Sequence, residues 1–320
     1  MSFQDIKGQS KTVEIIQECI RRNRLVGGYI FAGQEAVGKK FFARTLAKAV
    51  NCFKLTDDSC DSCPSCKKID KNEHPDLHLL ADPQRSAIKI EQIRRLQKDI
   101  SLRPYEGKRK VFIIDNAEDL TPEAANALLK ILEEPPANSL IILISAKPNL
   151  LFKTIISRCK IIKFTSLKRS QLQEILAADY SLDNELAHFL AYFSEGSIGK
   201  ALALKGTDIL RSKNRIIDEF VIEKKTSADY SSLQNKEYLR QSLNILAGWF
   251  RDIYLVKTGM PHTELINLDR KDDLLRTMSN FSFIDLDGIL NFISDALLYL
   301  EQNINVKLLI SNLRMELWKA

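Results

Sequence analysis

Four cysteines, Cys52, Cys60, Cys63 and Cys66, fall within fifteen positions of one another. The run Cys60-Asp61-Ser62-Cys63-Pro64-Ser65-Cys66 spaces three thiols as C-x2-C-x2-C, and Cys52 adds a fourth upstream. Four thiolates complete the shell of one tetrahedral metal ion. An iron–sulfur cluster can begin with the same spacing but continues x3-C-P, and the position four after Cys66 is Asp70. Zinc is therefore the expected ion. A closed shell of four thiolates leaves no coordination position for substrate, so its role is structural. His74 or His78 could replace one thiolate, but four cysteines suffice. Cys19 falls on the apolar side of the first helical pattern and reads as a small core residue.

A second constellation is Gly33-Gln34-Glu35-Ala36-Val37-Gly38-Lys39-Lys40, set between a strand and a helix. That is the setting of a phosphate-binding Walker A loop. Gly33 and Gly38 let backbone N–H groups curl around phosphate oxygens, and Lys39 would reach the terminal phosphates. The closing Ser/Thr is missing. Position 40 is lysine, which offers no hydroxyl to Mg²⁺ and adds positive charge where the metal would sit. Downstream, Asp115 ends an apolar strand where a metal-holding aspartate belongs, but Asn116 follows it. An amide cannot serve as the carboxylate base that polarises the attacking water. Two losses in separate elements predict a site that does not hydrolyse ATP. Phosphate cradling by the backbone and Lys39 could survive them, so ATP binding at this loop stays open.

These residues need a scaffold, and the apolar pattern supplies one. Strands are expected at Tyr29–Ala32, Asp76–Leu80, Val111–Asp115, Leu140–Ser145 and Lys160–Phe164. Continuous apolar runs such as Val111–Ile114 belong to strands covered on both faces, hence a parallel sheet sandwiched by helices. Thr121-Pro122 opens a helix that Pro135-Pro136 closes. The fold class is α/β over residues 1–166. A small helical domain follows over 167–209, broken at Glu195-Gly196-Ser197. A larger all-helical domain covers 210–320, with an apolar stripe at Leu239, Leu243, Leu246, Trp249, Phe250, Ile253 and Leu255. The composition, 45% hydrophobic and 28% charged, is that of a globular chain. With no signal-peptide core and no long apolar run, the expectation is a cytoplasmic protein without a membrane span. A net charge of +6 over 320 residues permits an acidic partner but does not argue for one.

Together these segments resemble the delta-prime subunits of bacterial DNA polymerase III clamp loaders, in the AAA+ superfamily. The resemblance is carried by Ile6-Lys7-Gly8-Gln9, the altered loop, the cysteine module, His74-Pro75-Asp76 and Ile90-Glu91-Gln92-Ile93-Arg94. It continues through Ser101-Leu102-Arg103-Pro104-Tyr105-Glu106-Gly107, the segment Ala124–Pro136 and Ser157-Arg158-Cys159. It implies an AAA+ P-loop domain, a small helical lid and a C-terminal helical collar that holds a five-membered ring. The implied partners are gamma/tau-type motor subunits and a delta subunit, with the sliding clamp and primed DNA met through the assembly. Arg158 would stabilise the γ-phosphate of a neighbouring subunit's ATP, a role suited to its planar guanidinium. ATP-hydrolysing relatives carry a second-domain arginine where this chain has Gly199. The family usually leaves eight residues between its first two cysteines. Here seven separate Cys52 from Cys60, a deletion that a loop absorbs.

Two other functions compete with a non-hydrolysing subunit. One is an active AAA+ motor-type ATPase, against which Lys40, Asn116 and Gly199 count. The other is a zinc protein that binds nucleic acid alone. It would need a denser basic stripe than Arg103, Lys108, Arg109 and Lys110 provide.

Overall fold

Alternation along each strand divides the first half of the chain into two apolar layers. Ile30, Phe112, Ile114, Ile141 and Leu143 face one side of a sheet; Tyr29, Phe31, Val111, Ile113, Leu140 and Ile142 face the other. Since successive side chains point to opposite faces, strands apolar at every position must be covered on both. The computed structural model describes residues 2–81, 87–224, 235–300, 302 and 305–318. It has five parallel strands, β1 (Gly28–Ala32), β2 (Leu77–Leu80), β3 (Lys110–Ile114), β4 (Ser139–Ser145) and β5 (Lys160–Lys163). Their spatial order is β2-β3-β4-β1-β5. In register, Tyr29 lies opposite Ile142 of β4 and Lys160 of β5.

Helices α1 (Ser10–Arg21) and α2 (Lys39–Asn51) supply Ile16, Phe42, Ala43, Leu46 and Val50 to one layer. The other layer takes residues from α4 (Ile90–Ile100) and α5 (Pro122–Glu133). Short helices α3 (Pro64–Asp70) and α6 (Lys153–Ile156) complete this half. The start of α5 is set as its residues dictate: Thr121 Oγ1 accepts the N–H of Ala124 at 3.2 Å and Pro122 occupies the first turn. Asp115 sits one residue past β3 and Phe164 one past β5.

Contacts divide the chain into two compact units: Met1–Leu167 with Ser197–Gly199, and Lys168–Gly196 with Lys200–Ala320. The second is helical, with α7 (Arg169–Tyr180), α8 (Asn184–Phe193), α9 (Ile198–Lys205, whose first two residues group with the first unit) and α10 (Ile209–Ile217). It continues with α11 (Lys236–Lys257), α12 (Lys271–Thr277), α13 (Phe283–Tyr299) and α14 (Val306–Trp318). The apolar stripe of α11 buries Leu239, Leu243, Leu246, Trp249, Phe250 and Ile253; Leu255, near the helix end, is half-buried. Asp252 on the same helix is buried, accepting the N–H groups of Ile266 and Asn267 at 2.9 and 2.8 Å. Among the described residues no helix is long and apolar enough to cross a membrane.

Candidate functional site

The loop between β1 and α2 turns into the helix through Gly38, at φ +96°, a left-handed conformation that favours glycine. Lys39, the first residue of α2, is buried, and its ammonium donates to the carbonyls of Gly33 and Gln34. Burial pulls its pKa down, against the opposing pull of Glu118, Asp115 and Glu35. The Lys40 ammonium lies 3.0 Å from Asp115 Oδ2. The one carboxylate that would hold a metal in this motif is therefore already neutralised by a side chain of the loop itself. Mg²⁺ at this place would meet no hydroxyl ligand and a competing cation, so the residues do not fit it. Gly199 donates its N–H to Ala36 O at 2.9 Å, and Ser197 Oγ donates to Glu35 O at 3.0 Å. A Cβ on Gly199 would come within 2.6 Å of that Ala36 oxygen. No side chain fits there unless the loop moves.

One group at this edge escaped the sequence reading. Glu118, three residues past Asp115, accepts the N–H of Ala146 at 3.0 Å through Oε1, while its Oε2 is buried without a hydrogen-bond partner. An acidic residue just beyond an apolar strand was the available signal.

The four cysteines come together as their spacing requires. Cys52 caps the end of α2, Cys63 caps the start of α3, Cys66 lies in α3 and Cys60 in the loop between. All four sulfurs lie within 4.8 Å of one another, near the ~3.8 Å edge of a tetrahedron with 2.3 Å metal–sulfur bonds. Backbone N–H groups point at the sulfurs: Leu55 at Cys52 (3.3 Å), Cys63 at Cys60 (3.4 Å) and Cys66 at Cys63 (3.5 Å). Such donors stabilise thiolate over thiol. The hydroxyl of Ser62 helps bring Cys60 down to about 6, whereas burial pushes the Cys66 thiol up. The set can hold a metal ion, and the shortened spacing does not exclude Cys52.

Neither histidine joins it. His74 Nδ1 accepts the N–H of Asp76 at 3.1 Å, which leaves the ring proton on Nε2, 3.1 Å from Ser65 Oγ. His78 stacks on Phe112, centroids 4.5 Å apart. Around the cluster, the buried Lys48 of α2 pairs with Asp61 and Asp70, bracing both ends of the cysteine run. Asp76 is fully buried and accepts three N–H groups, of Tyr105 and Gly107 at 2.7 Å and Glu106 at 2.9 Å. Burial opposes its ionisation, but those donors outweigh burial and hold the carboxyl below its usual pKa.

Arg158 lies between α6 and β5. Because Lys160 pairs with Tyr29, Arg158 stands beyond the N-terminal ends of β1 and β5, while the phosphate loop leaves the C-terminal end of β1. The four steps from Gly28 to Ala32 span roughly 13 Å at the usual rise per residue. Arg158 therefore serves a different edge of the sheet from its own loop. Its neighbour Cys159 is packed inward, its thiol pushed up to about 12 by burial, and anchors the turn.

Two family models cover most of the chain: DNA polymerase III, delta subunit, over residues 8–168, and DNA polymerase III, delta subunit, C terminal, over residues 212–317. The DNA polymerase III subunit delta' of Bacillus subtilis is 30% identical over 261 residues, covering 78% of each chain. The gamma/tau subunit of Mycoplasma pneumoniae is 33% identical over 207 residues, 63% of this chain but 30% of that protein. A crystal structure of a DNA polymerase III gamma subunit-related protein from Thermotoga maritima matches with TM-score 0.50 at 17% identity. It covers 95% of this chain and 98% of that one, a likeness of fold alone. An α/β unit with parallel strands, a matching helical C-terminal region and a delta' relative spanning most of the sequence agree on one assignment: the chain belongs to the DNA polymerase III delta-subunit family of clamp-loader proteins.

Proposed function

We propose that this chain is a delta-prime-type clamp-loader subunit that does not hydrolyse ATP itself and lends Arg158 to the ATP of a neighbouring gamma/tau-type subunit. The observation that carries the reading is the separation of the two edges. The cation at the metal position of the loop is Lys40, already paired with Asp115. Arg158 is on the surface at the opposite ends of the strands, out of reach of its own loop. An arginine so placed acts on a nucleotide bound by another chain, where its guanidinium stabilises charge on the γ-phosphate.

In this reading helices α7–α9 form the lid, and the later helices the collar that joins the motor and delta subunits. The sliding clamp and primed DNA are met through the assembly, in the cytoplasm. The four cysteines hold a structural zinc ion: four sulfur donors suit it, and Asp70, engaged with Lys48, stands where an iron–sulfur motif would need another cysteine.

Glu118 favours the competing reading, an active motor-type ATPase, since it puts a carboxylate within electrostatic range of Lys39. Reconstitution with motor and delta subunits separates the two. Arg158→Ala is expected to leave assembly intact and to lower DNA-stimulated ATPase and clamp loading about tenfold. Turnover by the isolated chain that disappears with Lys39→Ala would establish the motor reading instead.

A further inference from the structure

The guanidinium of Arg158 is not extended into solvent. Its Nε donates to Glu133 Oε1 at 2.9 Å, and its Nη2 lies 2.6 Å from the same oxygen in an ion pair. Its Nη1 donates to Thr154 O at 3.0 Å and to Ser157 Oγ at 3.2 Å. All three guanidinium nitrogens are thus turned back onto the same chain. Glu133 is the last residue of α5, and Pro135-Pro136 stop the helix there, which fixes where its carboxylate stands. Both partners are open to water, with 33% of the Arg158 side chain and 51% of Glu133 exposed. An ion pair this open adds little to stability and can be exchanged for a stronger anion. A polyphosphate is such an anion, and it takes guanidinium bidentately through the same edge that Glu133 now occupies.

We infer that Glu133 is a positioning residue that parks Arg158 against its own chain until a neighbour's triphosphate takes the guanidinium over. The inference rests on the role proposed above for Arg158 in trans. Unparking must occur whenever nucleotide is bound at that junction, before any chemistry, so its cost falls on KM and not on kcat. The freed carboxylate also lies beside an incoming polyanion and repels it, an effect that salt screens.

The test uses the reconstituted assembly and reads the portion of ATP turnover that Arg158→Ala removes. Glu133→Gln keeps the shape and deletes the charge. It is expected to lower KM for ATP about two- to fivefold, the size of one exposed ion pair, with kcat within about twofold. The gap between wild type and variant should shrink as ionic strength rises. In the isolated chain, the Arg158 Nε–H resonance should be sharp and slow to exchange, and Glu133→Gln should make it exchange with water. A Glu133→Gln assembly with unchanged or raised KM, or with reduced kcat, overturns the parking role while the role of Arg158 stands. If Arg158→Ala itself leaves turnover unchanged, the in-trans reading falls and parking falls with it.

Discussion

The phosphate loop and cysteine module on one side, and the turn that carries Arg158 on the other, treat charge in opposite ways. At the C-terminal ends of the strands every cation of the phosphate loop is engaged internally: Lys39 with two loop carbonyls, Lys40 with Asp115. The cysteine module, at the far end of α2, is built alike, with Lys48 and Asp76 buried among fixed partners. At the N-terminal ends, Arg158 is held only by a solvent-exposed pair and two hydrogen bonds. Disturbing a buried charge with several partners destabilises strongly, and disturbing an exposed one does not. The buried groups should therefore matter to stability and Arg158 to the assembly's work.

Removing the proposed zinc is the strongest way to test the first half. A strong chelator, or Cys63→Ser, is expected to cost at least about 3 kcal/mol of stability, read as a drop in denaturant midpoint, with one zinc per chain lost on dialysis. An unmoved midpoint would put the cluster outside the structural class. Next comes Asp76→Ala, which removes a buried carboxylate from its three N–H partners and should cost about 2–3 kcal/mol. Its pH dependence has a definite sign. The folded carboxyl lies below its unfolded value, so its contribution is present in full above that value, about 3.9, and is lost as pH falls through the lower folded one. Asp76→Asn should flatten this acid limb, and an unaltered limb would assign the acid sensitivity elsewhere.

The smallest effects are expected where the two halves cross over. Arg158→Ala should shift the unfolding midpoint by no more than about 0.5 kcal/mol, although it disables the junction. Lys39→Ala should change the assembly's ATPase by less than about twofold. A large loss of turnover from Lys39→Ala would erase the contrast between the loop and Arg158.

Much of the frame was legible because it depends on local pattern. Apolar runs announced five strands, of which β1, β3 and β4 are buried throughout, and C-x2-C-x2-C with Cys52 announced a cluster whose members are all near in sequence. What escaped depends on residues that meet only after folding. Asp76 carried no visible role, because its three donors come from 29 to 31 positions downstream. Glu133 is 25 residues from Arg158 and reads as an ordinary helix-end acid until the sheet brings the two together. That Gly199 has no side chain is plain in the sequence, but the reason is not: the backbone approach to Ala36 leaves no room for one. Strand order, too, follows from crossovers that periodicity does not encode.

Helix α2 begins at Lys39 and is capped at its other end by Cys52, about 20 Å away at 1.5 Å per residue. It is thus a single strut joining the phosphate loop to the cysteine module, with Lys48 clamped near its foot. The left-handed turn at Gly38 aims that strut, whatever the loop binds. A chain that has given up nucleotide chemistry would still have a mechanical reason to keep Gly38. The surviving signature is then a fossil held in place by carpentry, and a matching motif here reports the joinery before it reports the trade.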